Sequence, residues 1–259
     1  NIFLRFIVHI NKGDIMNRNI LLDVAESLEK EKLIAETKEK DVMIRHYLIT
    51  ENDKKTIHEE AGDYFVFSFD DMVLYEEKES LKKVLKKTLK TFLKKYHKGG
   101  TILFIGLGSK NILGDSFGPK VLNNLISTNA YNDFLVLPKV ALFTPDTTNK
   151  TGISSYKLIE MVVNHLKPDL IILVDSFTTN HFKNLNRTLE VNDCGICFAN
   201  QLRSNKEITR KTFNIPLLSI GYPTMFKMHK TYLNHFRLEK DLNIMSEVVA
   251  SAFNELLFD

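Results

Sequence analysis

Two aspartates, Asp115 and Asp175, stand at matching places in the sequence, each just beyond a short apolar run. The first run is Ile102–Ile105, followed by Gly106 and Gly108 in the loop that leads to Asp115. The second is Leu170–Val174, with Asp175 directly after it. Short runs of this composition read as buried parallel strands. A carboxylate at the end of such a strand is costly to bury unless it is paired or used. If the two strands are neighbours, both carboxylates reach one crevice, and one of them holds the shared proton. That arrangement suits peptide hydrolysis: one group takes a proton from water and the other protonates the leaving amine. The competing reading is that each Asp merely caps the start of a following helix.

Other chemistries find less support. The G-x-G of Gly106 and Gly108 is not a dinucleotide fingerprint, because the third glycine is misplaced and the loop is too long. Cys194-x-x-Cys197 has metal or redox spacing, but no second pair completes a zinc site, so two inert thiols are expected. No H-E-x-x-H, G-x-S-x-G or Walker pattern occurs, which leaves no metal ligand set, serine nucleophile or nucleotide loop to build on. No metal and no cofactor is expected.

The elements that must position the two acids alternate along the chain. Gly118-Pro119 opens a helical pattern after Asp115, with Pro119 suited to a first helical position. Residues 77–97 carry Leu81, Val84, Leu85, Leu89, Phe92, Leu93 and Tyr96 on one stripe, with Gly99-Gly100 ending the helix. Its other side is rich in lysine, which reads as a solvated face lying on the sheet, with an acidic partner or nucleic acid as the alternative. Strands are expected at 42–49, 64–69, 134–142, 170–174, 188–191 and 216–220, the last ending in Gly221-Tyr222-Pro223-Thr224. Helices are expected near residue 23, within 151–166 where a loop leads into an amphipathic helix stopped near Pro168, and at about 240–257. Alternating strands and helices predict an α/β fold, a mostly parallel sheet covered by helices on both faces, with residues 16–75 added to one edge.

A charged content of 26% and a net charge of +3 are ordinary for a globular protein and too small to argue for nucleic acid. Two cysteines and the lack of a long apolar stretch predict a reducing, cytoplasmic setting and no membrane partner. Residues 1–15 lack a signal-peptide cleavage site. Lys12-Gly13-Asp14 reads back as AAAGGAGAT shortly before the codon of Met16, which resembles a bacterial ribosome-binding site. The expectation is that Met16 starts the protein and residues 1–15 are a translated leader, with a strand or short pro-segment as the alternative. Residues 16–259 then form a single α/β peptidase domain.

Gly106-Leu107-Gly108 and the segment Gly114–Val121 resemble the G-L-G-N…P-D-A-L-G-P-K-V stretch of the germination proteases of spore-forming bacteria. The likeness runs in order through Thr151-Gly152-Ile153, Lys167-Pro168-Asp169, the strand into Asp175, Asn192–Ile196, Asn214-Ile215-Pro216 and Ile220–Thr224. Upstream, Asp23-Val24-Ala25 is similar to the family's D-L-A. The resemblance implies an atypical aspartic endopeptidase, made as a zymogen, that degrades small acid-soluble spore proteins during germination. It also implies a homotetramer in the spore core and a fold like that of the hydrogenase maturation proteases. The family's essential aspartates fall on Asp115 and Asp175, and Gly106, Gly108, Ser109, Gly118, Pro119, Thr151, Gly152, Pro223 and Thr224 fall on loops that shape the cleft.

Several positions depart from the family pattern. Ser109 replaces its Asn, Gly114 replaces the Pro before the first Asp, and Leu21-Leu22 replaces Arg-Thr before D-L-A. The glycine-rich P-G-S-G-V-G-N loop becomes 198–205. The A-P-G-V-M-G before T-G-I becomes the polar stretch 144–150. Two alternatives follow. Leu113–Pro119 is also similar to the L-G-D-D-G-x-G-P of nickel-dependent hydrogenase maturation proteases, but Ser116 stands where those carry a second, nickel-binding acid. The altered loops also suit an inactive interaction module of the same fold.

Overall fold

The computed structural model describes residues 21, 23, 32–54, 59–131, 137–196, 208–228, 231–233 and 236–259. The first half of the chain forms β1 (Leu33–Glu39), β2 (Val42–Ile49), β3 (Gly62–Ser68), α1 (Asp71–Tyr75), α2 (Lys78–Tyr96), β4 (Thr101–Gly106) and α3 (Phe117–Asn123). Next come β5 (Lys139–Phe143), α4 (Thr148–Thr151), α5 (Ser155–Leu166), β6 (Leu170–Thr179) and β7 (Thr188–Asn192). The chain ends with β8 (Gly195–Ile196), β9 (Ile208–Thr209), α6 (Arg210–Phe213), β10 (Leu217–Met228), β11 (Thr231–Leu233) and α7 (Leu238–Phe258).

The main sheet runs β1-β2-β3-β7-β10-β6-β4-β5, with β11 beside the end of β10. Strands β5, β4, β6 and β10 are parallel and make the expected α/β core. From β10 outward, β7, β3, β2 and β1 pair antiparallel, so the sheet is mixed. The chain leaves β4 toward β5 on one side, then crosses back to β6 and β10 on the other. That reversal puts a topological switch point between β4 and β6, where open α/β sheets form a crevice beyond their strand ends.

Alternation along the core strands supplies both faces. Ile102, Phe104, Ile172, Val174, Leu218 and Ile220 pack toward α2, α3 and α7 in one buried cluster. Leu103, Ile105, Ile171, Leu173 and Leu217 turn the other way and pack with Ile159 and Val163 of α5. Helix α2 buries the predicted stripe from Leu81 through Phe92. Its lysines reach acids of neighbouring elements: Lys82 and Lys86 bind Glu255 at 2.6 and 2.8 Å, Lys78 binds Glu247 and Lys87 binds Glu39. The basic face therefore fastens α2 to α7 and to the edge hairpin.

Some boundaries differ from expectation. β1 has no clear strand signature. It forms because Lys40 and Asp41 both adopt positive φ, a tight turn that folds the segment back on β2. Its exposed polar residues suit a sheet edge. β10 runs eight residues beyond Ile220, and Pro119 is the third residue of α3 rather than the first. Either helix position lacks an intrahelical donor bond, so proline is tolerated there. The expected strand at 134–142 is seen from Lys139, and its residues 134–136 lie outside the described residues. So do the leader 1–15, Leu22 and most of the helix expected near residue 23, Cys197 and the 198–205 loop.

The ring of Phe104 meets that of Phe253 edge-on at 4.9 Å, both fully buried between sheet and α7. Phe104→Ala is expected to lower unfolding stability by about 3–5 kcal/mol. In urea melts this reads as an earlier midpoint with unchanged slope.

Candidate active site

The loop after β4 is built on close backbone approaches. A methyl group on Gly118 would lie 2.5 Å from the carbonyl oxygens of both Leu107 and Val174, so α3 rests directly on the seam between β4 and β6. A Cβ on Gly106 would stand 2.8 Å from Gly118 backbone atoms. Gly108 has φ +97, and a side chain there would meet the Asp115 carbonyl oxygen at 2.0 Å. Left-handed φ together with that crowding admits only glycine.

Asp115 ends the 3-10 turn Leu113–Asp115 and is 3% exposed, while Asp175 is 1% exposed. Asp175 was expected at the end of its strand. It lies inside β6, which continues to Thr179 because β10 runs beside it. β4, however, stops at Gly106 opposite Val174, so Asp175 is the first residue of β6 past the end of β4. Neither acid caps a helix: Ser116 is the N-cap of α3, without a side-chain capping bond, and Asp175 belongs to a strand. The Ser109 amide donates to Asp115 Oδ2 at 2.9 Å, and the Ser176 amide donates to Asp175 Oδ1 at 2.8 Å. Amide donors of this kind favour the ionised carboxylate.

The two acid-bearing segments are joined directly. Phe117 N–H donates to Ser176 Oγ at 3.2 Å, and Leu107 N–H donates to the Val174 carbonyl at 2.8 Å. The 3-10 turn of Asp115 also packs on both β6 and β10. Thr224 is the extra residue of a bulge in β10, where Pro223 pairs with Phe177 and Met225 with Thr178. Its buried hydroxyl donates to the Gly114 carbonyl at 2.5 Å. Bulges beside functional sites commonly re-aim a side chain in this way. Pro223 accepts a hydrogen bond from Asn186 N–H at 2.9 Å. Gly106, Gly108, Ser109, Gly118, Pro119 and Thr224 thus surround the Asp115 loop. Thr151 and Gly152 instead close α4: Gly152, at φ +69, donates to the Thr148 carbonyl, and the Thr151 hydroxyl bonds within the same turn.

Two contributors escaped the sequence reading. Ser176 receives the Phe117 amide, and Gly221 pairs with Asp175 and leaves room for the Phe177 ring. In the 144–150 loop, the Asp146 carboxylate accepts from the Thr147 amide at 2.8 Å and from Lys150 Nζ at 2.7 Å. Burial pushes the Asp146 carboxyl up, but the Lys150 ammonium, the Thr147 amide and the Ser109 hydroxyl outweigh it and hold it below the usual range. At the far end of β6, Asp23 accepts from Thr179 Oγ1 at 2.8 Å and Asn184 Nδ2 at 3.1 Å, and Leu21 N–H donates to buried Glu190 at 2.8 Å.

The Ser116 hydroxyl donates to Leu113 O at 2.8 Å. Among the described residues no three His, Cys, Asp or Glu are grouped to hold a metal ion. Cys194 is buried, with its thiol 3.2 Å from Asn192 Oδ1. No described helix is long and apolar enough to cross a membrane.

Thr224→Val keeps the shape and removes the donor to Gly114. It is expected to cost about 1–3 kcal/mol, the penalty for a buried carbonyl left without its partner, measured by chemical denaturation.

The sequence pattern that defines the germination proteases (Peptidase_A25) matches residues 15–232. The germination protease of Clostridium tetani is 29% identical over 187 residues, which cover 69% of this chain and 58% of that protein. That of Priestia megaterium is 28% identical over 206 residues, covering 74% and 55%. The chain thus spans little more than half the length of these relatives. Among solved structures, the [NiFe] hydrogenase maturation protease HycI of Thermococcus kodakarensis is similar with a TM-score of 0.41 and 13% identity, over 64% of this chain and 99% of that one. With most of its length matching the family pattern and the same order of motifs, the chain belongs to the germination protease family.

Proposed function

We propose that this chain is an endopeptidase that cleaves small acid-soluble spore proteins during germination, with Asp115 and Asp175 acting on a water molecule. The observation that carries the reading is the seam at Gly118. That glycine touches the carbonyl of Val174, and the two acids lie three residues before Gly118 and one residue after Val174. Both are buried where the core sheet reverses its strand order, the usual place for a ligand crevice.

In the proposed reaction one carboxylate, ionised, takes a proton from water as the oxygen attacks the scissile carbonyl. The other, protonated, donates to the amide nitrogen as the carbon–nitrogen bond breaks. Two carboxylates serving one water titrate as a pair, so the assignment of base and acid belongs to the pair. The amides of Ser109 and Ser176 steady the anionic forms, and the Thr224 bond to Gly114 holds the Asp115 turn in place. Family membership extends the proposal to a homotetramer in the cytoplasm of the spore core, made as a precursor.

The test is cleavage of a purified small acid-soluble spore protein by wild type, Asp115→Asn and Asp175→Asn. Each variant is expected to lose about 10²–10⁴-fold in rate, with an unchanged circular dichroism spectrum. Undiminished cleavage by either variant overturns the paired mechanism. Loss on chelation with recovery on nickel addition moves the reading to a metal-dependent protease.

A further inference from the structure

We infer that Asn186 is a positioning residue for Asp115, gripping β10 at the point where Thr224 reaches the Asp115 turn. The inference rests on the proposed role of Asp115. A short piece of β10 serves the site: Gly221 pairs with Asp175, the Tyr222 ring packs on that of Phe117 at 5.0 Å, and the Thr224 hydroxyl donates to the Gly114 carbonyl. The sheet itself holds that piece weakly. Thr224 is the bulge residue and has no Cα partner on β6. On the other edge, β7 pairs only as far as Gly221, and β11 begins to pair at Phe226. Residues 222–225 therefore lack a strand partner on that side among the described residues. A bulge re-aims a side chain, but its aim is only as firm as the hold on its neighbours.

Asn186, two residues before β7, supplies the missing hold. Its N–H donates to the Pro223 carbonyl at 2.9 Å, and its own carbonyl accepts the Tyr222 hydroxyl at 2.9 Å. It thus grips both residues that precede Thr224. Asn186 adopts φ +57, a left-handed conformation that Gly, Asn and Asp tolerate best. Its side chain is tied into the core: Nδ2 donates to Asp241 Oδ2 at 3.0 Å, and both residues are fully buried. Asp241 is held in turn by Arg187 Nη1 at 3.1 Å and by the Tyr75 hydroxyl. Arg187 Nη1 also donates to the Asn186 carbonyl at 2.6 Å. A carboxylate acceptor makes the stronger kind of hydrogen bond, so the carboxamide is firmly fixed. A continuous line of hydrogen bonds and peptide bonds runs from α7 through Asp241, Asn186, Pro223 and Thr224 to Gly114, the residue before Asp115.

The experiment compares Asn186→Gly, Thr224→Val, Thr224→Ser and the double variant Asn186→Gly/Thr224→Val in the full chain. Each cleaves a purified small acid-soluble spore protein at a temperature where circular dichroism shows it folded. Glycine keeps the left-handed backbone and its N–H but removes the tie to Asp241, and serine keeps the hydroxyl. Asn186→Gly and Thr224→Val are each expected to lower kcat about tenfold with KM held within about twofold, and Thr224→Ser to retain most of the wild-type kcat. Because Asn186 acts through Thr224, the double variant is expected to be no slower than Thr224→Val alone. Amide hydrogen exchange at Asp115 is expected to rise about tenfold in Asn186→Gly, a readout independent of turnover. Should glycine prevent folding, Tyr222→Phe removes a single hydroxyl from the same grip and is expected to lower kcat about threefold. Wild-type kcat in Asn186→Gly or, in its place, in Tyr222→Phe overturns the inference, as do multiplied losses in the double variant or unchanged Asp115 exchange. Asp115→Asn in the same assay separates the two claims. If it is inactive while Asn186→Gly is fully active, only the positioning role falls, and if it cleaves normally the catalytic reading falls first.

Discussion

The close passage of one helix over the join between two parallel strands sets the geometry of this protein. At Gly118 the backbone of α3 lies against the carbonyls of Leu107 and Val174, in space that a single methyl group would fill. Interiors packed to crystal-like density do not absorb such an intrusion without moving backbone. Because the contact is made by main-chain atoms, it fixes the residues on either side of it as well. Asp115 lies one helical turn upstream and Asp175 immediately beyond, so two acids distant in sequence share one point of origin in space.

Burying two carboxylates there is unfavourable, and backbone amides are among the groups that offset the cost. Amides of Ser109 and Ser176 face the acids, and the loop that carries the first amide is braced by Thr224 from β10. Fixed amides are suited to this position. They stabilise an anion without forming an ion pair that would have to break whenever a proton is transferred. Much of the lysine face of α2 is matched by acids on α7 and the edge hairpin, and Arg187 meets buried Asp241 beneath Tyr75 and Asn186. This further buried acid, Asp241, anchors the start of α7 on the β6–β7 connection, behind the loop that supports Pro223.

The antiparallel half of the sheet buttresses this core. β7 lies against β10 and presents Glu190 and Asn192 inward. The Asn192 carboxamide gathers the amides of Cys194 and Gly195 and the hydroxyl of Ser219. Glu190 takes the Leu21 amide, and the tail of β6 takes the Asp23 side chain. The upstream segment is thereby docked on the same strand that carries Asp175. The matched D-V-A motif thus has a structural role at its aspartate.

The sequence by itself determined which segments are strands and helices in the core, because apolar periodicity reports burial directly. The stripe from Leu81 to Phe92 is clear in period and length, and the runs at Ile102 and Leu170 read as strands from their shortness, flanks and β-forming residues. It also singled out Asp115 and Asp175, since an acid beside a buried strand is a local anomaly that composition reveals. Tertiary structure decided what no local window contains. β1 became a strand through pairing with β2, and β10 continued past Pro223 through a bulge that turns Thr224 toward Gly114. The order of strands placed the switch point between β4 and β6. The division has one physical cause: burial patterns are written in neighbouring residues, whereas hydrogen-bond partners and strand order depend on contacts between residues far apart in the chain.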